Sequence, residues 1–485
     1  MKGLLLATVV SLLAAALAVQ AQRVYLPMVL RHPTTTATAT AITTATATAF
    51  PSATYYVAPD GSDANPGTLA QPWATLQHAA DSVGPGDTVY ARGGVYHEFL
   101  VVSVSGSATA PITFAAYPDE TPVLDGTGLN WRYGIDIRAS DWLTFDGFVV
   151  RSYIRDGLAG FGFVAGGESD GITLRHMEFS GVATAVKFQA GDGSGPLAAA
   201  DHLLLEDIFA HDYSAGGFDC GPEGPCVDLT IRRFRAIGPG SGNDTAVDGF
   251  AVESGDGILI EDSLASGHAG DGFDLKSSNT ILRRVVSLNQ SRNGIKLWGL
   301  GSRLENSISA GNGLEGLVLA GGGSYTVVNS LIANSTLYGY TVGLAYDSSA
   351  TTPITILNTI ISTTSPDNGG TLMFVAANVQ LTADHNLYYA PNREDAVICT
   401  EVGEQCFSAA EINSGAWASA SDQEGHSRYG DPRFRGEAAA DFHPTAASPS
   451  LDAGTCASAP PNDLDGVTRP QGSACDVGPY EAARQ

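Results

Sequence analysis

The sequence predicts an all-β fold, a right-handed parallel β-helix of about ten coils, and three observations carry that prediction. First, one short phrase recurs five times between Val247 and Leu344: VDGFAVES, GDGFDLKS, RNGIKLWG, LEGLVLAG and LYGYTVGL. Its glycines, Gly249, Gly272, Gly294, Gly316 and Gly339, are spaced by 23, 22, 22 and 23 residues. A fixed period of this size marks a solenoid of stacked units. Second, apolar and variable residues alternate after each glycine, so the first and third side chains point inward and the others outward. Third, Ile260, Leu282, Leu304 and Val327 keep the same period, as do Leu264, Val286, Ile308 and Leu331. Both files are expected to face the core. A step this short leaves no room for a strand plus a full helix, so each coil holds two or three short strands.

Taken in order, residues 1–21 read as a signal peptide: Lys2, an apolar run from Leu4 to Val19, and small residues at Val19 and Ala21. Residues 22–54 form a Thr/Ala-rich linker with no core of its own. Residues 55–98 hold a strand, a turn-rich loop, a helix near Trp73–Val83 and a strand from Asp87, the makings of an N-terminal cap over the first coil. Residues 99–390 read as coils. Early coils are longer and carry outward loops at Gly157–Asp170, Gly191–Asp201 and Gly216–Cys226, which would wall a cleft. Residues 391–485 lose the period and read as the last coil and cap. Asn306 and Asn329 hold equivalent places, where stacked amides can bond along the axis of a solenoid.

Six cysteines fall in close pairs, Cys220 with Cys226, Cys399 with Cys406 and Cys456 with Cys475. In an exported chain these read as three local disulfides. No stretch is long and apolar enough for a membrane span in the mature chain, which is expected to be extracellular and monomeric. A net charge of −26 with no basic stripe speaks against nucleic acid. It speaks against an acidic polymer too, unless a divalent cation bridges the two anions.

The register supplies such a cation site. Stacked coils repeat about every 4.8 Å, so equivalent positions become neighbours. The outward file after the first apolar residue is Ala251, Asp274, Lys296, Val318 and Thr341, which sets Lys296 one rung from Asp274. The turn file before each glycine is Asp248, Asp271, Asn293 and Glu315. Aspartate before glycine is ordinary turn chemistry, whereas an outward aspartate in mid-strand is disfavoured by β-propensity. Calcium takes roughly 6–8 oxygen ligands, carboxylates prominent among them. A lysine with a pKa of about 10.4 is a poor base at neutral pH. Nearby cations lower that value, and Arg283, Arg284, Arg292 and Arg303 lie close in sequence. Asp274 would raise it unless a metal ion already neutralised the carboxylate. Lys276 and Trp298 are also outward, suited to a substrate carboxylate and a sugar ring, with Arg303 a further substrate-binding candidate.

These residues carry a resemblance. VDGFAVES, GDGFDLKS and RNGIKLWG resemble the catalytic core of family 9 of the polysaccharide lyases, the pectate lyase L type. The resemblance implies a right-handed parallel β-helix that cleaves polygalacturonate by β-elimination. It implies calcium held by an aspartate of a DGF-like turn and by aspartates of a DDGYD-like turn one coil later, here Asp248, Asp271 and Asp274. It implies a general base in the lysine of an NGFKL-like strand, here Lys296. The family turn has two adjacent aspartates where this chain has Gly270 and Asp271; Asp244 and Glu253 are the acids placed to compensate. The residues leave two alternatives open: a lyase or glycoside hydrolase on another acidic polysaccharide, or a non-catalytic glycan-binding β-helix on a Thr/Ala stalk.

Overall fold

The computed structural model of the chain describes residues 52–482, apart from 167–168, 190–196, 241–246, 336–339, 345–349 and 365–370. The expected signal peptide and nearly all of the linker lie outside the described residues. Three thirteen-stranded sheets wind into a right-handed parallel β-helix. The first sheet runs from Thr54–Val57 to Val379–Asp384, the second from Leu100–Val102 to Gln405–Phe407, and the third from Gly94–Tyr96 to Arg428–Tyr429. Each coil crosses the first, third and second sheets in turn, as in Gly255–Glu261, Leu264–Ser266 and Phe273–Leu275.

Inward side chains of successive coils stack on their equivalents. Phe250 and Phe273, both fully buried, lie face to face with centroids 4.7 Å apart and planes 2° from parallel. Burying one such ring removes enough apolar surface from water to stabilise the fold by about 1.5–3 kcal/mol. The corner between first and third sheets is a single left-handed residue in coil after coil, including Asp262, Arg284, Asn306, Asn329 and Asn358, with φ between 48° and 53°. Asn and Asp tolerate that conformation best among residues with a Cβ, which explains their recurrence.

Helix α1 (Leu76–Ser82) closes the N-terminal end, somewhat shorter than the sequence implied. The Thr75 hydroxyl caps it by accepting the His78 N–H at 3.1 Å, and Leu76, Ala79 and Ala80 seal the core. At the other end Ile398–Thr400 and Gln405–Phe407 form an antiparallel hairpin. Helices α2 (Ala409–Asn413) and α3 (Ala416–Ser421) follow, with Trp417 packed on Phe407. All three cysteine pairs are disulfides.

Two expectations about facing are corrected. Leu264, Val286, Ile308 and Leu331 do not face the interior. Their neighbours do: an added Cβ on Gly249, Gly272, Gly294 or Gly316 would meet Ala265, Ser287, Ser309 or Ile332. The leucine file points outward and is buried by the chain after Phe434, which returns along the third sheet with Ala440, Phe442, Leu464, Val477 and Tyr480. The tail is thus a strap as well as a cap. Asn306 and Asn329 are drawn to that strap, donating to the carbonyls of Asn462 at 2.6 Å and Asp476 at 3.1 Å. Axial amide bonding survives between Asn358 and Asn329, at 3.1 Å. Second, Thr341 does not join the outward file: Val318 pairs with Gly343, so the fifth phrase is shifted by two residues and Thr341 is buried.

Candidate active site

The second sheet brings four strands together: β1 (Asp248–Val252), β2 (Phe273–Leu275), β3 (Ile295–Leu297) and β4 (Leu317–Leu319). Their register pairs Ala251 with Asp274, Asp274 with Lys296, and Lys296 with Val318. Lys296 is therefore one rung from Asp274, as the spacing required.

The turns before these strands form a hydrogen-bonded ladder. Asp271 N–H donates to Asp248 Oδ1 at 2.6 Å, Asn293 N–H and Nδ2 donate to Asp271 Oδ1 at 2.9 and 3.0 Å, and Glu315 N–H donates to Asn293 Oδ1 at 3.3 Å. One oxygen of each aspartate thus builds the turn, which is the ordinary structural use of these residues. The interior supports the same turns. His268 N–H donates to Gln290 Oε1 at 2.8 Å, and Gln290 N–H donates to Asn312 Oδ1 at 3.2 Å.

The second oxygens are left for other work. Lys296 Nζ lies 3.8 Å from Asp271 Oδ2 and 3.7 Å from Asp274 Oδ2, and 4.7 Å from the centroid of the Trp298 ring. Asp274 Oδ1 is buried without a hydrogen-bond partner. Burial pushes the Asp248 carboxyl up to about 7, with the nearby charges of Asp271 and Asp274 adding to the rise. Burial likewise holds Asp271 above the usual carboxylate range. Three acids crowded at one place, one with an orphaned oxygen, form a donor set of the kind that binds a hard dication. The set is not fully closed: Asp271 and Asp274 share the Lys296 amine, but the three acids do not bring one oxygen each within 4.8 Å of one another. Asp248 is turned toward the Asp271 amide and Gly270.

The other sequence-level candidates divide. Lys276 is on the wall, donating to Glu253 Oε2 at 2.6 Å and lying 3.5 Å from Asp274 Oδ2. Trp298 folds over Lys296 rather than offering an open platform. Arg303 is elsewhere: it lies on the first sheet, where its Nε donates to Glu305 Oε2 at 2.7 Å. Arg283 and Arg284 are on that same ladder of ion pairs, so of the four arginines only Arg292 reaches the site, its Nε 4.0 Å from Asp271 Oδ1. Glu253 is held by Lys276, and Asp244 lies outside the described residues.

A cleft of about 490 Å³ lies over the earlier coils, lined among others by Asp219, Pro222, Asp248, Glu253 and Arg292; of the three aspartates Asp248 alone lines it, and Lys296 stands outside its lining. Sequence reasoning missed Asp219, which lines the cleft, and its partner Lys187. They continue the outward file of Ala251 and pair through Lys187 Nζ and Asp219 Oδ2 at 2.7 Å. The signal was the phrase GGFDC at residues 216–220, a copy of the motif whose spacing to VDGFAV is stretched by a loop. The Cys220–Cys226 disulfide clamps that loop beside the cleft.

With this geometry in place, residues 55–370 match the protein family described as "Pel9A-like, right handed beta helix region". This chain belongs to the Pel9A-like right-handed β-helix family. Among Pel9A-like relatives, pectate lyase L of Paenibacillus polymyxa (strain SC2) is 28% identical over 329 residues, 65% of this chain and 63% of that protein. Pectate lyase PEL9 of Emericella nidulans is 40% identical over 80 residues, which span 16% of this chain and 20% of that protein. The solved structure of XylC with xylose has a TM-score of 0.55 at 11% identity, covering 72% of this chain and 86% of that one, a likeness of fold.

Proposed function

We propose that this chain is an extracellular polysaccharide lyase that cleaves a polygalacturonate-like polymer by β-elimination, with calcium as its metal and Lys296 as its general base. The observation that carries the proposal is the placement of the Lys296 amine between Asp271 and Asp274, beside a buried carboxylate oxygen with no partner. The pectate lyase relatives support the same reading.

Asp271 and Asp274 would hold the metal, and Asp248 would join them only by swinging its carboxylate away from Gly270 toward the pair. Calcium bound there would supply positive charge that binds the uronate carboxylate and acidifies the proton at C5. The remaining steps fall to the protein. Lys296, as the free amine, takes the C5 proton, and the electron pair left on C5 forms the C4–C5 double bond as the C4–O bond breaks. The leaving oxygen takes up a proton from solvent, Lys296 gives the C5 proton up to solvent, and no water is added across the bond. In the arrangement seen here the amine itself answers the charge of Asp271 and Asp274. A dication at the aspartates would take over that pairing and leave the Lys296 amine to the substrate, so metal and base depend on one another. Trp298 stands beside the amine, its ring centroid 4.7 Å from Nζ. Arg292, which lines the cleft, is the cation placed to meet a further substrate carboxylate, with Lys276 beside Asp274 as a second.

The test is an assay for ultraviolet-absorbing unsaturated product over a panel of uronic polysaccharides, with calcium and with a chelator. Product that forms on a polygalacturonate-like polymer, stops with the chelator and returns with calcium supports the proposal. Reducing ends without unsaturation would make the chain a glycoside hydrolase, and binding without any product would make it a glycan-binding protein.

A further inference from the structure

A second cluster of ligating side chains lies far from the cleft, where the strap meets the end of the solenoid. Asp384 ends the last strand of the first sheet, His385 is the left-handed corner residue after it (φ 55°), and His426 comes from the loop beyond α3. Asp384 Oδ1 accepts the backbone N–H of His385 at 2.9 Å and of His426 at 2.8 Å. That fixes the carboxylate and aims Oδ2 at two imidazoles, 2.7 Å from His426 Nδ1 and 3.8 Å from His385 Nε2. The two rings stack face to face, with centroids 4.5 Å apart and planes 4° from parallel.

The orientation of His385 points to a cation. Its Nδ1 donates to the Ala453 carbonyl on the strap at 2.9 Å. That leaves Nε2 as the nitrogen turned toward Asp384 Oδ2. A backbone carbonyl behind the far nitrogen is also the usual support of a metal-ligating histidine.

We propose that Asp384 Oδ2, His385 Nε2 and His426 Nδ1 form a site for one transition-metal dication of the zinc type, with water completing the coordination. Each of the three residues offers a donor atom within 4.8 Å of those of the other two. Donors sharing a tetrahedral zinc at about 2.0–2.1 Å lie about 3–3.5 Å apart, and since the stacked rings hold their lone pairs in parallel planes the cluster needs one adjustment, a rotation of His426 out of the stack. The exposed His426 side chain is free to make it. Two nitrogens and one oxygen favour zinc, nickel or copper over calcium. Binding displaces the proton of His426 Nδ1 to solvent. The ion joins the last coil, the loop after α3 and, through Ala453, the returning strap.

Asp201, His202 and Asp228 also approach one another, but among the described residues no backbone carbonyl holds the His202 ring: its nitrogens lie 3.3 Å from Asp201 and 3.9 Å from Asp228. That cluster serves as the control.

The experiment is calorimetric titration of the chelator-treated full chain with zinc chloride in saturating calcium, which keeps the aspartates of the cleft occupied. The expected result is one zinc per chain, with affinity at least roughly tenfold weaker in His426→Ala and His385→Asn and unchanged in His202→Ala. Zinc should raise the melting temperature of the native chain and not of His426→Ala. Asn at 385 keeps the left-handed corner, so it serves if the alanine variant melts early without metal. The proposal is overturned if the native chain takes up no zinc, if both variants titrate like it, or if only His202→Ala loses the binding.

Discussion

Lys296 Nζ lies 3.7 Å from Asp274 Oδ2, on facing positions of adjacent parallel strands. The same carboxylate oxygen is 3.5 Å from Lys276 Nζ, yet only Lys276 has a second carboxylate, Glu253, at hydrogen-bond distance. The two lysines therefore predict different outcomes. Lys296→Ala should lower the rate of unsaturated product formation by about 10²–10⁴-fold, the usual worth of a general base, with the melting temperature little changed. Lys276→Ala should act mainly on KM. Initial rates over a range of polymer concentrations check both, and an active Lys296→Ala enzyme would remove the lysine from the mechanism.

Asp248 ties calcium binding and stability to pH. Its carboxyl titrates near 3.9 in an unfolded chain and at about 7 in the fold, chiefly because of burial. Between those values the folded state holds a proton that the unfolded state has shed. The stability it contributes is therefore full below about pH 4 and lost as pH rises through about 7. Metal-free protein should melt at falling temperature across that window, and Asp248→Asn should flatten part of the slope. The comparison must be with the variant, because the buried Glu424, also held at about 7, acts in the same direction. Calcium binds the ionised acid, so its affinity should climb with pH and level off above about 7. Thermal melts with chelator and calcium titrations at several pH values measure the two effects.

Gly270 stands where the resemblance to the lyase family implies an acid, and the structure turns the obvious repair into a liability. A Cβ at residue 270 would lie 2.2 Å from Asp248 Oδ1 and 2.8 Å from the Val247 carbonyl. Asp248 occupies the space the missing side chain would need. Gly270→Asp should thus displace Asp248 and break its bond to the Asp271 amide, at about 1–3 kcal/mol for overpacking. Calcium affinity should fall and the melting temperature with it. Tighter calcium binding in Gly270→Asp would show that the turn has room to rearrange.

How much of this was legible in the sequence depended on where the period held. Between Val247 and Leu319 every coil has nearly the same length, so counting residues placed Asp274 beside Lys296 and stacked Asp248 under Asp271. Where a loop stretches the step, counting fails: Asp219 belongs to the same outward file, but lies 32 residues before Ala251. Thr341 was misplaced for the same reason, the fifth coil being two residues longer. The Leu264 file was misread for a different one. An apolar file reads as inward unless something covers it outside, and its cover, Phe442 to Tyr480, is more than 100 residues away along the chain. Proximity in sequence also gave Arg303 to the cleft, although a coil has three walls and a separation of seven residues from Lys296 crosses a corner.

The strap rests on a buried ion pair that offers a test of its own. Arg469 Nη1 donates to Glu481 Oε2 at 2.9 Å with both side chains 1% exposed, and Arg469 Nη2 donates to the Gly478 carbonyl at 2.9 Å and reaches Asn306 Oδ1 on the solenoid. Glu481 also accepts the N–H groups of Gln471 at 2.8 Å and Asp476 at 2.9 Å, so it organises the strap around itself. Arg469→Ala leaves that carboxylate buried without its cation, a loss of about 3–5 kcal/mol for such a pair. Removing both charges together, as Arg469→Met with Glu481→Gln, should cost much less, because neither variant side chain strands a charge. The strap should loosen in the single variant and expose the apolar file of Leu264, Ile308 and Leu331. Increased binding of a hydrophobic dye and protease cleavage after Phe434 would report it, with the double variant close to native. Equal behaviour of single and double variants would mean that apolar packing alone fastens the strap.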